Sequence, residues 1–306
     1  MRIDEFYAGA SEPVVSFEFS PPRTVDAELS FWAAIEELAK FEPAFVSVTC
    51  GAGGTTRELT LAVVRRLARE RKLEAVPHVT ATGFTREGLI DLLREARAGG
   101  ADNVLALRGD PPRGEATWTA PPGGVESSLE LTRLAAEAGF CVLAAAYPEP
   151  HRDSRGWAHD LEHLKAKLDA GVSVLVSQLF FDNDDYRSYL DRLRGAGIDV
   201  PVLPGIIPIA SIGQIERMAK LCGASIPAGL RRELESRADD PQAVAELGVA
   251  YATAQAAELL AEGAPGVHLY TLNRSPATRA VVSALRSIPS QSWSQRWDGA
   301  HSAHRR

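Results

Sequence analysis

The sequence lacks several features that mark whole classes of protein. Its cysteines are few, odd in number and widely spaced, so neither a disulfide framework nor a cysteine-based zinc site is indicated; they are Cys50, Cys141 and Cys222. No apolar run approaches the roughly 18 residues of a membrane span, and the start, MRIDEFYAGASEP, lacks the regions of a secretory signal. We therefore expect a cytoplasmic protein with no membrane partner, whose cysteines are buried free thiols.

Basic clusters and catalytic signature motifs are also missing. The net charge is -7, and no block of Lys and Arg could hold a phosphate backbone, so nucleic acid is a poor candidate partner. There is no H-E-x-x-H helix and no G-x-S-x-G turn, and the loop CGAGGTT does not complete the G-x-G-x-x-G spacing of a dinucleotide fold. With 45% hydrophobic residues, the 306-residue chain can nevertheless bury a large core.

What the chain does contain is a regular alternation of short apolar runs and amphipathic stretches of helical period. The runs are continuously apolar, which is typical of parallel strands covered by helices on both faces. They number eight: VVSFEF (14–19), FVSVTC (45–50), AVPHVT (75–80), NVLALRG (103–109), CVLAAAY (141–147), VLVSQLF (174–180), VPVLPGI (200–206) and GVHLYTL (266–272).

Eight such units predict an α/β protein with a (βα)8 TIM barrel, because a closed ring leaves no strand edge exposed. The connection before the eighth strand is longer than the others and predicts an extra helical insertion there, with a long helix at 242–262. We predict a single barrel domain at residues 1–288. The polar tail at 289–306 has no period and is expected to be disordered.

Polar side chains stand at the carboxyl ends of these strands, where barrels of this kind place their reacting groups. A buried polar group without a partner costs about 1 to 3 kcal/mol, so such residues in apolar runs indicate a pocket. The set comprises Glu18, Thr49, His78, Arg108, Asp110, Tyr147, His151, Gln178, Asn273 and Arg274.

Each of these residues also has a purely structural interpretation. Glu18 either pairs with a cation across the barrel mouth or, since desolvation favours the neutral form, stays protonated and acts as an acid. Arg108 and Asp110 either form a local ion pair and turn or bind a ligand. His78 alone is more typical of a packed, hydrogen-bonded histidine, although His78, His151 and Asp110 together could hold a metal ion.

The strand-end segments resemble a known family. VSFEFSPPR, FVSVTCGAGG, PHVT, ALRGDPPRG, AAYPEPH, SQLFFD, PGIIP and HLYTLNRS occur in the order and approximate spacing of bacterial methylenetetrahydrofolate reductases. The resemblance covers the chain from about residue 14 to residue 279. It implies a (βα)8 barrel that holds FAD non-covalently and no metal.

The resemblance also implies a reaction. NADH or NADPH reduces the flavin, which passes a hydride from N5 to 5,10-methylenetetrahydrofolate in a ping-pong sequence to give 5-methyltetrahydrofolate for methionine synthesis. Glu18 corresponds to the general acid that opens the imidazolidine ring at N10. Asp110 corresponds to an aspartate near the flavin pyrimidine and the pterin, where its charge tunes reduction.

The remaining site residues follow from the same resemblance. The flavin contacts that it implies are Thr49, His78, Leu107, Arg108, Gly109, Asp110, Ser127, Tyr147, His151, Asp160, His163 and Lys167. The substrate contacts that it implies are Gln178, Gln214 and Arg274. Relatives can carry Asn and Arg where this chain has His163 and Ala166. Analogy favours a homo-oligomer, and no C-terminal regulatory domain is expected.

Two other functions remain open at this point. One is a metal-dependent hydrolase or aldolase on the same barrel, suggested by His78, His151 and Asp110. The other is a catalytically silent barrel that binds a folate or a nucleotide.

Overall fold

A ring of parallel strands forms the centre of the protein. The computed structural model describes residues 1–9, 13–51, 56–109, 120–151 and 153–288. In this part of the chain nine parallel strands lie in one sheet in the order β7-β6-β5-β4-β3-β2-β1-β9-β8. Their bounds are β1 (Val14–Phe19), β2 (Val46–Val48), β3 (Ala75–Thr80), β4 (Asn103–Leu107), β5 (Cys141–Ala146), β6 (Val172–Ser177), β7 (Val202–Leu203), β8 (Gly205–Ile206) and β9 (Gly266–Tyr270).

The ring closes through a strand that is broken in the middle. Strands β7 and β8 are separated only by Pro204; β7 pairs with β6, and β8 pairs with β9. They are the two halves of the seventh barrel strand, so the predicted (βα)8 barrel is confirmed. The prediction of one continuous strand at 200–206 is wrong, because proline has no N–H to donate to a ladder.

Helices surround the ring and alternate with the strands. Their bounds are α1 (Ile3–Gly9), α2 (Val25–Ala39), α3 (Arg57–Glu70), α4 (Arg86–Gly99), α5 (Ser128–Glu137), α6 (Trp157–Asp169), α7 (Asn183–Gly195), α8 (Ile212–Cys222), α9 (Ala228–Glu235), α10 (Pro241–Ala261) and α11 (Pro276–Ser287). The predicted insertion is the pair α9 and α10. The prediction of one barrel domain at 1–288 stays a prediction, and the tail at 289–306 lies outside the described residues.

Helix α1, which the sequence pattern did not indicate, closes the amino-terminal end of the barrel. Ile3 and Tyr7 are buried against barrel-lining residues that include Phe45 and Leu143. The amide of Ile3 donates to Oδ1 of Asn103, at the first residue of β4. Since α1 fills one mouth of the barrel, only the carboxyl mouth is left for a ligand.

The hydroxyl of Tyr7 is buried in this closure without a hydrogen-bond partner among the described residues. We expect Tyr7→Phe to raise the free energy of unfolding by about 1 kcal/mol, because an unsatisfied buried hydroxyl is removed and the ring remains. Urea unfolding of the two proteins measures this difference. Equal or lower stability of the variant would show that the hydroxyl has a partner.

Two further expectations concern the cysteines and the membrane. Cys50, Cys141 and Cys222 form no disulfide in the described part of the chain, but only Cys141 is fully buried, so the expectation of burial is wrong for Cys50 and Cys222. Cys50 is half-buried because it lies two residues after the end of β2, at the open mouth. Among the described helices, none is both long and apolar enough to cross a bilayer.

Candidate active site

Alternation along the strands decides which side chains enter the barrel. On β1, Phe17 and Phe19 belong to the core between sheet and helices, so Ser16 and Glu18 point inward. On β9 the same rule directs His268 and Tyr270 inward, because Val267 and Leu269 lie in that outer core. The residues nearest the carboxyl ends therefore meet at the open mouth.

The carboxyl group of Glu18 lies between two imidazoles. Its Oε2 is 3.5 Å from Nε2 of His78 and 3.8 Å from Nε2 of His268. Burial lowers the pKa of His78, and the nearby His268 acts in the same direction while Glu18 opposes it. His78 is therefore neutral at neutral pH and places no positive charge beside the Glu18 carboxyl group.

Below this carboxyl group lies a small polar layer. Nδ1 of His268 is 2.8 Å from the hydroxyl oxygen of Ser16, and its Nε2 is 3.4 Å from that of Ser47. All three residues have no solvent exposure. The imidazole also stacks on Phe45 with ring centroids 5.5 Å apart, which fixes the ring that faces Glu18.

Tyr270 forms the side of the mouth next to Gln178. Burial raises the pKa of Tyr270 well above its usual value, and Glu18 adds to the effect. The Tyr270 hydroxyl donates to the backbone oxygen of Ser177 at 2.7 Å, and the Ser177 hydroxyl accepts from the amide of Gly205 at 2.8 Å. The Oε1 of Gln178 accepts from the amide of Leu179 at 2.9 Å, which leaves its NH2 group to donate to a ligand.

A second group of charges lies at the β4 to α6 side of the mouth. Burial and, to a smaller extent, the charge of Arg108 lower the pKa of Lys167 to about 8. Within the described ranges no carboxylate forms an ion pair with this ammonium, whereas Arg108 pairs with Asp153 at 2.9 Å. Desolvation and Lys167 together lower the pKa of His163. Cations held together in this way form a site for an anion.

Aromatic and polar groups border this cationic area. The rings of Tyr147 and His151 meet edge to face with centroids 5.0 Å apart. The amide of Asp153 donates to Nδ1 of His151 at 3.1 Å, which leaves Nε2 as the protonated nitrogen of the neutral ring. Asp160 accepts a hydrogen bond from the hydroxyl of Ser154 at the start of α6.

Gly109 follows β4 in the left-handed region, with φ of 87°. A Cβ on this residue would meet Oγ1 of Thr82 and would lie 3.0 Å from Cβ of Thr80. We expect Gly109→Ala to lower the free energy of unfolding by about 1 to 2 kcal/mol from the backbone alone. Thermal unfolding is the measurement.

Gly213→Ala is the matched control, since nothing lies within 4 Å of a Cβ there and the residue is helical. That variant should be as stable as the parent or more so. If the two alanine variants have the same thermal stability, the left-handed turn does not require glycine at residue 109.

Other predicted site residues form hydrogen bonds with neighbouring residues of the protein. The hydroxyl of Thr49 donates to that of Ser20 at 3.0 Å, and the hydroxyl of Ser127 caps α5. Gln214 is engaged at both ends of its amide, by the amide of Ala210 and by the backbone oxygen of Pro208.

Leu107 ends β4, and Arg274 is exposed after β9. Asp110 lies outside the described residues. The sequence interpretation missed Ser16, Ser47, His268 and Tyr270. The signal for His268 was its position two residues before Tyr270, which gives both side chains the same face.

The metal alternative finds no support in the described part of the chain. There, no group of three or more His, Cys, Asp or Glu side chains has the geometry of a metal site. His78 faces Glu18, whereas His151 contacts the Asp153 amide on the other side of the mouth.

A barrel closed at its amino-terminal end, with ionisable groups collected at the carboxyl mouth, defines the TIM-barrel class with a site at the strand ends. A solved Clostridium thermocellum protein, described as binding two copies of 5-methyl-5,6,7,8-tetrahydrofolic acid, has the same fold: its TM-score is 0.61 at 13% identity, with 93% of this chain and 98% of that one covered. Dihydropteroate synthase from Xanthomonas albilineans gives 0.51 at 18% identity, with 91% and 94% covered.

The family follows from sequence. The model of the methylenetetrahydrofolate reductase family matches residues 2–286. The chain is 36% identical to 5,10-methylenetetrahydrofolate reductase of Escherichia coli, covering 90% of this chain and 91% of that protein. It is 37% identical to methylenetetrahydrofolate reductase (NADH) 1 of Arabidopsis thaliana, covering 89% of this chain, and it spans about half, 48%, of that protein. The chain belongs to the methylenetetrahydrofolate reductase family.

Proposed function

We propose that this protein reduces 5,10-methylenetetrahydrofolate to 5-methyltetrahydrofolate with NADH or NADPH, using bound FAD, in a ping-pong sequence. The observation that carries the proposal is the Glu18 carboxyl group at the open mouth, 3.5 Å from a neutral His78. We also propose a cytoplasmic homo-oligomer that supplies methyl groups for methionine synthesis.

The cationic side of the mouth fits FAD. The ammonium of Lys167, which is desolvated and without a carboxylate partner in the described ranges, suits the pyrophosphate together with Arg108. At Gly109 the backbone packs against Thr80 and Thr82 with no room for a Cβ. Bound FAD would accept a hydride from the nicotinamide and give one to the one-carbon unit of the folate.

The task of Glu18 is to deliver a proton. As the bond between the one-carbon unit and N10 breaks, the Glu18 hydroxyl protonates N10, and the cation left on the one-carbon unit is quenched by hydride. Each turnover thus consumes one proton and one hydride, and the hydride carries the two electrons of the reduction. His78 is neutral, so no imidazolium charge from that residue faces the carboxyl group. The NH2 group of Gln178 and the side chain of Arg274 would bind the folate.

The proposal predicts a spectrum. Purified protein should carry a yellow cofactor or gain one on titration with FAD, and NADH should bleach it in the absence of oxygen. Treatment with a chelator should not change the rate of folate reduction. A protein that takes up no flavin, or that loses activity with chelation and regains it with a metal, would contradict the proposal.

A further inference from the structure

The turn after β9 holds an unusual backbone conformation. Leu272 and Asn273 both lie in the left-handed region, with φ of 47° and 61°. Asparagine tolerates this region, but a leucine there is strained by about 1 to 2 kcal/mol. Such strain persists only where surrounding contacts fix the conformation, and here those contacts go to the end of β1.

Asn273 pairs with Ser20 as a neighbouring strand would. Its Oδ1 accepts from the amide of Ser20 at 2.8 Å, and its Nδ2 donates to the backbone oxygen of Ser20 at 2.8 Å. One side chain thus satisfies both backbone groups of a residue two positions after Glu18.

Thr271 contacts the first residue of the segment 18–20, whereas Asn273 contacts the last. Its hydroxyl donates to the backbone oxygen of Glu18 at 2.6 Å, and its amide donates to the same oxygen at 3.2 Å. The Thr271 hydroxyl oxygen also accepts from the amide of Asn273 at 3.0 Å, which joins the two anchors into one unit.

On the side that faces β9, the sheet does not extend to Ser20. The ladder between β1 and β9 ends at Glu18 opposite Tyr270. Ser20 is followed by Pro21 and Pro22, which have no N–H to donate. The β1–β2 ladder still holds Glu18 and Phe19 from the other side, but it too ends before Ser20. The turn therefore adds the constraint on the segment just after Glu18 at the open mouth, where a shift of about 1 Å can reduce a catalytic rate by 10²-fold.

We infer that Asn273, together with Thr271, is a positioning residue for Glu18: the turn fixes the backbone on both sides of the acid and so sets where its carboxyl group lies. The inference rests on the proposed function of Glu18 as general acid. Asn273 itself touches Ser20, not the carboxyl group.

The variant Asn273→Gly tests the inference, because glycine keeps the left-handed turn without the side-chain amide. We expect the step in which reduced flavin is reoxidised by methylenetetrahydrofolate to slow by about 10- to 100-fold, while flavin reduction by NADH stays within about twofold. In the flavin-free protein the Ser20 amide should exchange its hydrogen at least about tenfold faster. Thr271→Val, a second route to the same loss, should slow the same step.

A double-mutant cycle separates positioning from general structure. In a Glu18→Gln background, Asn273→Gly should cause almost no further loss, because the group that it positions no longer donates a proton. Equal fold-losses in both backgrounds, or a wild-type rate in both single variants at residues 271 and 273, would overturn the inference. If Glu18→Gln itself leaves the folate step unchanged, the acid assignment fails instead.

Discussion

Glu18→Gln should slow the oxidation of reduced flavin by methylenetetrahydrofolate by about 10²- to 10⁴-fold, the range that a general acid contributes. Glutamine keeps the size and polarity of the side chain but has no acidic proton to give to N10. Stopped-flow mixing of reduced enzyme with the folate, without oxygen, measures this step directly.

The control lies in the other half of the reaction. Reduction of the flavin by NADH needs no proton from Glu18 and should stay within about twofold of the parent rate. If both halves slow together, the substitution has disturbed the flavin site rather than removed an acid. An unchanged folate step would leave Glu18 with only a structural role beside His78 and His268.

Lys167→Met should raise the dissociation constant for FAD by about 10- to 100-fold. The loss corresponds to one charge-assisted hydrogen bond of about 1.5 to 3 kcal/mol. Methionine retains the apolar stem of the side chain without the charge. Fluorescence titration of the flavin-free protein measures the constant. Lys165→Met is the matched control, since Lys165 is exposed on the same helix, and it should bind FAD as the parent does.

The affinity for FAD should also depend on pH with a defined sign. Burial and the charge of Arg108 lower the pKa of Lys167 to about 8, so the ammonium loses its proton as pH rises through that value. FAD affinity should therefore be constant below about pH 8 and should fall above it. The decrease should disappear in Lys167→Met. A dependence on pH that survives in the variant would assign it to another group.

The same buried ammonium destabilises the flavin-free protein. Its pKa is lowered from 10.5 to about 8, so between these values the unfolded chain binds more protons and stability rises with pH. Below about pH 8 the full penalty applies. We expect Lys167→Met to unfold at a higher urea concentration than the parent at pH 7 when flavin is absent. A less stable variant would show that a carboxylate neutralises the ammonium.

The barrel could be predicted from sequence because parallel strands buried on both faces leave an unbroken apolar pattern. The failures have local causes. Pro204 interrupts the seventh strand. Because the residues on both sides of it are apolar, the hydrophobic pattern continues through the interruption and does not indicate it. Helix α1 has only 7 residues, too few for a stable isolated helix, and it forms because Ile3 and Tyr7 enter the barrel.

The candidate site was predictable in part. Glu18, His78 and Lys167 were visible as polar residues at strand ends or through family resemblance. The pairing of Asn273 with Ser20 joins residues 253 positions apart, so only the closed ring brings them together. Gln214 is the opposite case, because it was predicted to contact the substrate. Its side-chain amide is instead hydrogen-bonded to the nearby backbone at Ala210 and Pro208, a contact that no motif reveals.

One measurement tests the central claim most directly: the flavin spectrum of the purified protein followed through a full cycle without oxygen. NADH should bleach the yellow colour, and methylenetetrahydrofolate should then restore it with formation of methyltetrahydrofolate. A protein that binds no flavin, or a reduced flavin that the folate cannot reoxidise, would contradict the account.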